Sequence, residues 1–170
     1  MKLKKSVLLI LLSFAIISSC KNKEKVEAYI EKGIPLVSIS KGIDPDTLEM
    51  SDDLFMEHFS QYDEQIVYLS GPSFAKEIVD KQVTIVALAG KTPDVLLEVC
   101  QKMNTDYFKA MPTYDIKGVL LGGALKNILA IAGGMLEGMG FNHNTRAALI
   151  TRGITEMLRF GKVYNARPET

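Results

Sequence analysis

The chain has 170 residues, of which 47% are hydrophobic and 24% charged, and its 20 basic side chains balance its 20 acidic ones. This apolar content is enough for a core, which excludes global disorder, and the length suits one domain or parts of two. The zero net charge argues against wrapping a nucleic acid. Two distant cysteines, Cys20 and Cys100, make neither a disulfide framework nor a zinc site.

The first 20 residues have the pattern of a bacterial lipoprotein signal. Three lysines precede an apolar run from Val7 to Ile17, which is shorter than the roughly 20 residues of a membrane span. The sequence Ile-Ser-Ser-Cys ending at Cys20 resembles a lipobox, in which the cysteine is lipidated. Residues 1–25 are therefore predicted to be a signal segment and a polar tether. A buried helix or a fused segment is the alternative interpretation.

From residue 26 onward, the sequence alternates between strand and helix patterns. Over residues 26–115 this spacing predicts an α/β fold, as the C-terminal part of a Rossmann-like dinucleotide-binding domain with helices packed on its sheet. The third strand is almost continuously apolar, which is typical of a strand buried on both faces. Ser51 is predicted to cap the helix that follows the first strand. The predicted strands cover residues 35–40, 65–70, 82–89 and 106–113, and the predicted helices cover residues 51–59 and 95–103.

The composition changes near Gly118. Residues 118–139 are apolar on nearly every side, which predicts a helix in the protein interior or between two domains. Residues 145–160 predict a second helix. We therefore expect residues 116–170 to form the first helices of an all-α domain. Pro168 would suit the first turn of a further helix, so a truncated chain is expected.

Two lysines are candidates for chemistry. Lys126 lies in the most apolar stretch, where it must pair, reach solvent past Leu125 or face a cavity. Desolvation lowers the pKa of a lysine and suits it to general acid–base work. Lys41 follows the first predicted strand, and ligands of parallel sheets bind beyond the carboxyl ends of strands. An ordinary surface lysine is the alternative for Lys41.

The turn that follows the second predicted strand is a third candidate. Gly71, Pro72 and Ser73 open a helix there, and backbone N–H groups with a serine hydroxyl suit an anion. Taken alone, this segment is an ordinary turn. The sequence contains no G-x-G-x-x-G after a strand, no metal-ligand cluster and no Ser/His/Asp arrangement.

Four segments resemble bacterial NAD(P)-dependent glycerol-3-phosphate dehydrogenases in order and spacing. The resemblance runs from about Val26 to Thr170. It implies a Rossmann domain followed by a helical substrate domain, with the active site between them. In that family the glycine-rich phosphate loop would precede Val26, and the C-terminal half of the helical domain would follow Thr170. The segments are VSISKGI at residues 37–43, LSGPSFA at 69–75, GALKNILAIAGG at 123–134 and NTRAALITRG at 144–153.

The resemblance also implies roles for individual residues. Lys126 would be the catalytic proton donor and acceptor and a substrate contact, and Lys41 would contact substrate and cofactor. Gly71 and Ser73 match substrate-binding positions, and Ala75 matches a cofactor-binding position. The implied activity interconverts dihydroxyacetone phosphate and sn-glycerol 3-phosphate with NAD or NADP, which supplies a precursor of glycerophospholipids. A positioned ammonium group suits it, because negative charge builds on the carbonyl oxygen during reduction.

The two halves of this interpretation imply different locations. The family role implies a cytoplasmic enzyme with a small phosphate substrate and no nucleic-acid partner, and an unpaired sheet edge invites a homo-oligomer. A used signal would instead anchor the chain to an envelope membrane through Cys20, away from cytosolic NAD(P)H. We therefore expect little or no dehydrogenase activity from the chain as written. The alternatives are another oxidoreductase resembling 6-phosphogluconate dehydrogenase, an inactive tethered lipoprotein, or a truncated or fused reading frame.

Overall fold

The computed structural model describes residues 20–170, so the predicted signal segment lies outside the described residues apart from the backbone of Cys20, and its predicted lipidation stays a prediction. The described part of the chain consists of helices and strands that alternate along the sequence up to two long helices. They are α1 (Cys20–Ile30), β1 (Leu36–Ser38), α2 (Ser51–Phe59), a 3-10 helix (Ser60–Gln65), β2 (Ile66–Ser70), α3 (Ala75–Val79), β3 (Thr84–Gly90), α4 (Pro93–Met103), β4 (Phe108–Thr113), α5 (Ile116–Gly138) and α6 (His143–Val163).

The four strands form one mixed sheet in the order β1-β2-β3-β4. β1 pairs with β2 in parallel, and β3 pairs with β4 in parallel, but β2 and β3 are antiparallel, with Leu69 opposite Leu88. The sheet with its helices confirms the predicted α/β, Rossmann-like class. Because β1 and β2 are parallel, the segments that follow them leave the sheet at the same edge.

The sheet separates two hydrophobic cores. α1, α2 and the start of α5 cover one face, and α4 covers the other. Side chains alternate between these faces along each strand, as in β1, where Leu36 belongs to the first core and Val37 to the second. Leu36 and Val37 are both almost fully buried, so β1 is shielded from solvent on both faces of the sheet.

Two local expectations were wrong. β3 is not buried along its whole length, because Ile85 is 54% exposed and borders an open groove rather than a covering helix. Ser51 does not cap α2, since it is the first helical residue and Met50 occupies the cap position. The backbone N–H of Met50 donates to the Asp53 carboxylate at 3.2 Å, so an acidic side chain inside the first turn does the capping.

The long helix α5 changes environment along its length. Its first part packs on the sheet and buries Val119, Leu120 and Leu121, whereas Ile128 and Ile131 are exposed. The first part of α5 is therefore buried as predicted, whereas a position of the remaining part between two domains stays a prediction. Within residues 20–170, α5 is the one helix with the length and composition of a membrane span, a property that core helices share.

Candidate functional site

The carboxyl ends of β1 and β2 bring the first candidate residues together. Lys41 lies just beyond β1, and Gly71 directly follows β2, so the parallel pairing of these strands places both at one edge of the sheet. α5 crosses this edge and contributes Lys126, which is half-buried. The Nζ of Lys126 donates a hydrogen bond to the carbonyl oxygen of Gly71 at 3.4 Å.

Lys41 and Lys126 lie side by side. The pKa of Lys41 is lowered, first by partial burial of its ammonium group and then by the neighbouring Lys126, whose ammonium group repels the charged form of Lys41. Although the residue as a whole is exposed, its charged end therefore meets a second cation. Within the described part of the chain, neither lysine forms a salt bridge with a carboxylate. Two adjacent cations without a counter-charge favour the binding of an anion.

Gly71 holds the turn between these lysines and the next helix. Its φ of +148° is a backbone conformation that favours glycine. A Cβ added at this position would also lie only 2.9 Å from the Cα of Val86. The hydroxyl of Ser73 donates to the same carbonyl oxygen that Lys126 contacts, at 3.5 Å. Gly71 thereby connects the candidate serine with the candidate acid–base lysine.

Lys126 lines an open groove of about 690 Å³. Gly71 and Asn127 line it together with apolar side chains that include Ile85 and Met111. Ser73 and Lys41 contact the lining residues without lining the groove themselves. Ala75 does not line the groove either, because it lies exposed at the start of α3. The structure therefore brings four of the five predicted site residues together and leaves Ala75 to one side.

Sequence reasoning assigned no role to Gly123, although this buried glycine touches the site. An added Cβ on Gly123 would lie 2.6 Å from the Oγ of Ser70 and 3.5 Å from the Cγ of Lys41. The helix backbone is thus packed against the end of β2. The sequence marks α5 as rich in glycine, but that pattern does not tell which glycine makes a close contact.

The chemistry open to this arrangement follows from its parts. A paired cation site can hold a phosphate or another anion, and a half-buried ammonium group can stabilise developing negative charge and donate a proton. The adjoining groove has room for a second molecule, and its lining is mostly apolar, with Lys126 and Asn127 among its polar residues.

Family models for two successive domains match this chain. Residues 2–96 match the model described as NAD-dependent glycerol-3-phosphate dehydrogenase N-terminus, and residues 115–170 match the model of the corresponding C-terminus. The first match begins at residue 2, so it includes the segment interpreted above as an export signal.

Individual relatives agree with the family models. A glycerol-3-phosphate dehydrogenase (NAD(P)+) of Leptospira biflexa is 43% identical over 148 residues, which cover 86% of this chain and 44% of the relative. The Myxococcus xanthus protein of the same name is 41% identical over 150 residues, with the same coverage of both chains. This chain therefore spans about half the length of the curated relatives it matches.

Solved structures give the same result. The crystal structure of glycerol-3-phosphate dehydrogenase from Coxiella burnetii superposes with a TM-score of 0.73 at 29% identity, covering 86% of this chain and 45% of that one. These matches favour glycerol-3-phosphate dehydrogenase over the alternative of another oxidoreductase. The two matched domains, which together include every residue of the lysine pair and the Gly71 turn, show that the chain belongs to the NAD-dependent glycerol-3-phosphate dehydrogenase family.

Proposed function

We propose that the protein interconverts dihydroxyacetone phosphate and sn-glycerol 3-phosphate with NAD(P)H, and that Lys41, Gly71, Ser73 and Lys126 form its substrate site. The observation that carries this proposal is the pair of adjacent lysines beside the Gly71 carbonyl, which have no carboxylate partner among the described residues. A phosphate ester supplies the missing negative charge. The printed name of the relatives, glycerol-3-phosphate dehydrogenase (NAD(P)+), supplies the substrate class.

Lys126 is the proposed proton donor. Its ammonium group donates a hydrogen bond to the Gly71 carbonyl, and both residues line the groove. A substrate carbonyl oxygen placed there would gain negative charge during reduction, and the ammonium group would stabilise that charge and then give up a proton. In the reverse direction the neutral amine would accept the proton of the alcohol. The nicotinamide ring, when bound, supplies or accepts the hydride.

Lys41 has two proposed tasks. Its positive charge helps to hold the anionic substrate, and its repulsion of Lys126 disfavours the doubly charged state when no anion is present. Binding of a phosphate ester would favour the charged form, so the ligand should raise the pKa of Lys41 toward its ordinary value. Lys41 and Ala75 are the proposed cofactor contacts. Lys41 fits this task as a cation at the site, and Ala75 fits it as an exposed small residue beside the turn.

Ligand binding by the full chain tests the proposal directly. Glycerol 3-phosphate is titrated into protein labelled with ¹³C at the lysine Cε positions, and lysine NMR signals report affinity and pKa. The ligand should raise the pKa of Lys41. Lys126→Ala and Lys41→Ala should each weaken binding about tenfold or more, because each removes a charge-assisted contact. Lys162→Ala, on an exposed part of α6, is the matched control. Equal affinity in Lys126→Ala and the wild-type chain would contradict the proposed site.

Turnover and substrate class need separate measurements. NADH or NADPH oxidation with dihydroxyacetone phosphate that disappears in Lys126→Ala would support the proton-transfer role and overturn the expectation of an inactive chain. The same titration with 6-phosphogluconate separates the alternative oxidoreductase, which should bind that sugar acid more tightly than glycerol 3-phosphate.

A cytoplasmic location is part of the proposal, because the reaction uses the cytosolic NAD(P)H pool. Incorporation of a labelled fatty acid in the native host that is lost in Cys20→Ser would instead favour the tethered lipoprotein.

A further inference from the structure

The contact between α5 and the end of β2 is closer than a side chain would permit. An added Cβ on Gly123 would lie 2.6 Å from the Oγ of Ser70, a distance that real Cβ atoms do not adopt. Ser70 is itself buried, at the last position of β2. With the Ser70 hydroxyl in its present position, the backbone of α5 can approach the strand this closely because residue 123 lacks a Cβ.

Four other glycines of the same helix have no such constraint, and a fifth, Gly118, is constrained at the helix start, where an added Cβ would meet the capping side chain of Asp115 and not the sheet. An added Cβ at Gly122, Gly133, Gly134 or Gly138 would meet no atom within 4 Å outside its own helix backbone. The glycine content of α5 is therefore not a general packing requirement. Of the six glycines of α5, Gly123 is the one whose added Cβ would meet the sheet.

The same close approach lies next to the lysine pair. The position of the absent Cβ is 3.5 Å from the Cγ of Lys41, so the aliphatic part of Lys41 lies over Gly123. Lys126 follows three residues later, on the same face of the helix. A small outward shift of α5 at residue 123 would thus move Lys126 away from both Lys41 and the Gly71 carbonyl.

We propose that Gly123 is a positioning residue of the substrate site, whose missing side chain lets α5 approach Ser70 and so brings Lys126 beside Lys41. The effect on ligand binding rests on the proposed function, whereas the effect on the distance between the two lysines does not. Gly123 acts through Lys126 and is not itself a catalytic residue.

A methyl group at this position should separate the lysines. In Gly123→Ala the helix must move outward or the Ser70 hydroxyl must rotate away. An outward shift reduces the repulsion that Lys126 exerts on Lys41, so the pKa of Lys41 should rise toward its ordinary value. Misplacement of the ammonium group should also weaken binding of glycerol 3-phosphate about 10- to 100-fold.

A double-mutant cycle identifies the atom responsible. In Ser70→Ala the Oγ that would meet the new methyl group is gone, and the next nearest atoms, at 3.5 and 3.6 Å, make ordinary contacts. Gly123→Ala should therefore change the Lys41 pKa and the affinity for glycerol 3-phosphate much less in a Ser70→Ala background than in the wild-type chain. Gly133→Ala, a substitution in open space on the same helix, is the control for general effects of alanine on α5.

The experiment measures the pKa of Lys41 by NMR titration and the dissociation constant for glycerol 3-phosphate in all five proteins. A raised pKa and weaker binding in Gly123→Ala, both largely restored by Ser70→Ala, support the proposal. An unchanged pKa of Lys41 in Gly123→Ala overturns it, and so does an equal effect in both Ser70 backgrounds. If Gly123→Ala does not fold, Ser70→Ala is compared with the double variant Ser70→Ala/Gly123→Ala. A double variant that folds and has the Lys41 pKa of Ser70→Ala supports the proposed contact. A double variant that does not fold refutes it. Absence of ligand binding by the wild-type chain contradicts the proposed function, while the pKa comparison still tests the positioning role.

Discussion

The sheet region and the helical pair formed by α5 and α6 differ sharply in burial. Every residue of β1 and β2 is buried, and helices cover both faces of these strands. In α6, by contrast, Gly153 and Gly161 are the buried residues of 21, and large apolar side chains such as Ile154 are exposed. The sheet region therefore has cores that helices cover, whereas the helical pair leaves large apolar side chains on both of its members exposed.

The candidate site lies where these two regions meet. α5 begins inside the first core, reaches Lys126 at a half-buried position, and then becomes exposed at Ile128. The close contact at Gly123 and the hydrogen bond to Gly71 both belong to the sheet side of this border. Because these contacts of Lys126 and its helix are made with the sheet region, we expect the rest of the helical pair to be able to loosen without moving Lys126.

The largest effect should follow from a cavity in the sheet region. Leu88 is fully buried in the second core, so Leu88→Ala should lower the free energy of unfolding by about 2 to 5 kcal/mol. Ile131→Ala is the contrasting change, because Ile131 is 67% exposed and its truncation should alter stability by about 0.5 kcal/mol at most. Urea denaturation followed by circular dichroism measures both. Similar losses of unfolding free energy in Leu88→Ala and Ile131→Ala would show that the difference in burial between the two regions does not affect stability.

An alanine at Gly153 tests the helical pair separately. Its Cβ would overlap a methyl group of Leu129, so α6 or the Leu129 side chain must move, at a cost of about 1 to 3 kcal/mol. Hydrogen exchange should accelerate in α6 but not in β2. Gly134→Ala changes the same residue type in open space, and should stabilise α5 by about 0.5 to 1 kcal/mol through helix propensity. Equal acceleration in β2 would mean that the two regions unfold as one unit.

The sequence predicted the local elements well because their signals are local. The predicted helix at residues 51–59 has its observed bounds, and the second strand starts one residue later than predicted. The antiparallel pairing of β2 with β3, and the open face around Ile85, depend on the tertiary arrangement and left no local signal. A continuous apolar run was therefore read as burial on both faces.

The candidate site shows the same division. Lys126 could be singled out from sequence because a cation in an apolar helix needs a reason, and Lys41 and Gly71 because they follow strands. Their contact depends on the parallel pairing of β1 and β2, and on the approach of α5 at Gly123, between residues distant in the chain. The resemblance to the family supplied the roles, while the structure supplied the geometry that brings the lysines together.

A smaller effect is expected at the start of α5, where one carboxylate joins the two regions. Asp115 is buried and accepts hydrogen bonds from the backbone N–H of Gly118 at 3.0 Å and of Arg167 at 2.7 Å. Asp115→Ala removes the helix cap and releases the segment after α6, which should cost about 1 to 2 kcal/mol. Thermal unfolding and exchange of the Arg167 amide measure the two losses. Asp106→Ala, on an exposed loop, is the control, and an equally protected Arg167 amide in Asp115→Ala would contradict the link.

The smallest change at neutral pH is expected at Tyr68, deep in the sheet region. Its hydroxyl is buried and has no hydrogen-bond partner among the described residues, so Tyr68→Phe should be neutral or stabilising by about 1 kcal/mol. The pKa of Tyr68 is raised strongly above its ordinary value of 10.0, first by burial and then by the nearby carboxylates of Asp52, Asp63 and Asp53.

This raised pKa determines the sign of the pH dependence. Below pH 10 the tyrosine is neutral in both the folded and the unfolded state, and its contribution to stability is fully present. Above pH 10 the unfolded chain ionises at Tyr68 while the folded protein does not, so the wild-type chain should lose up to about 1.4 kcal/mol per pH unit relative to Tyr68→Phe. Other titrating groups are common to both proteins and cancel in the difference, which urea denaturation between pH 8 and pH 11 measures. If the stability difference between the wild-type chain and Tyr68→Phe stayed constant across this range, the Tyr68 hydroxyl would be accessible to water. That result would contradict the burial of Tyr68 on which the comparison between the sheet region and the helical pair depends.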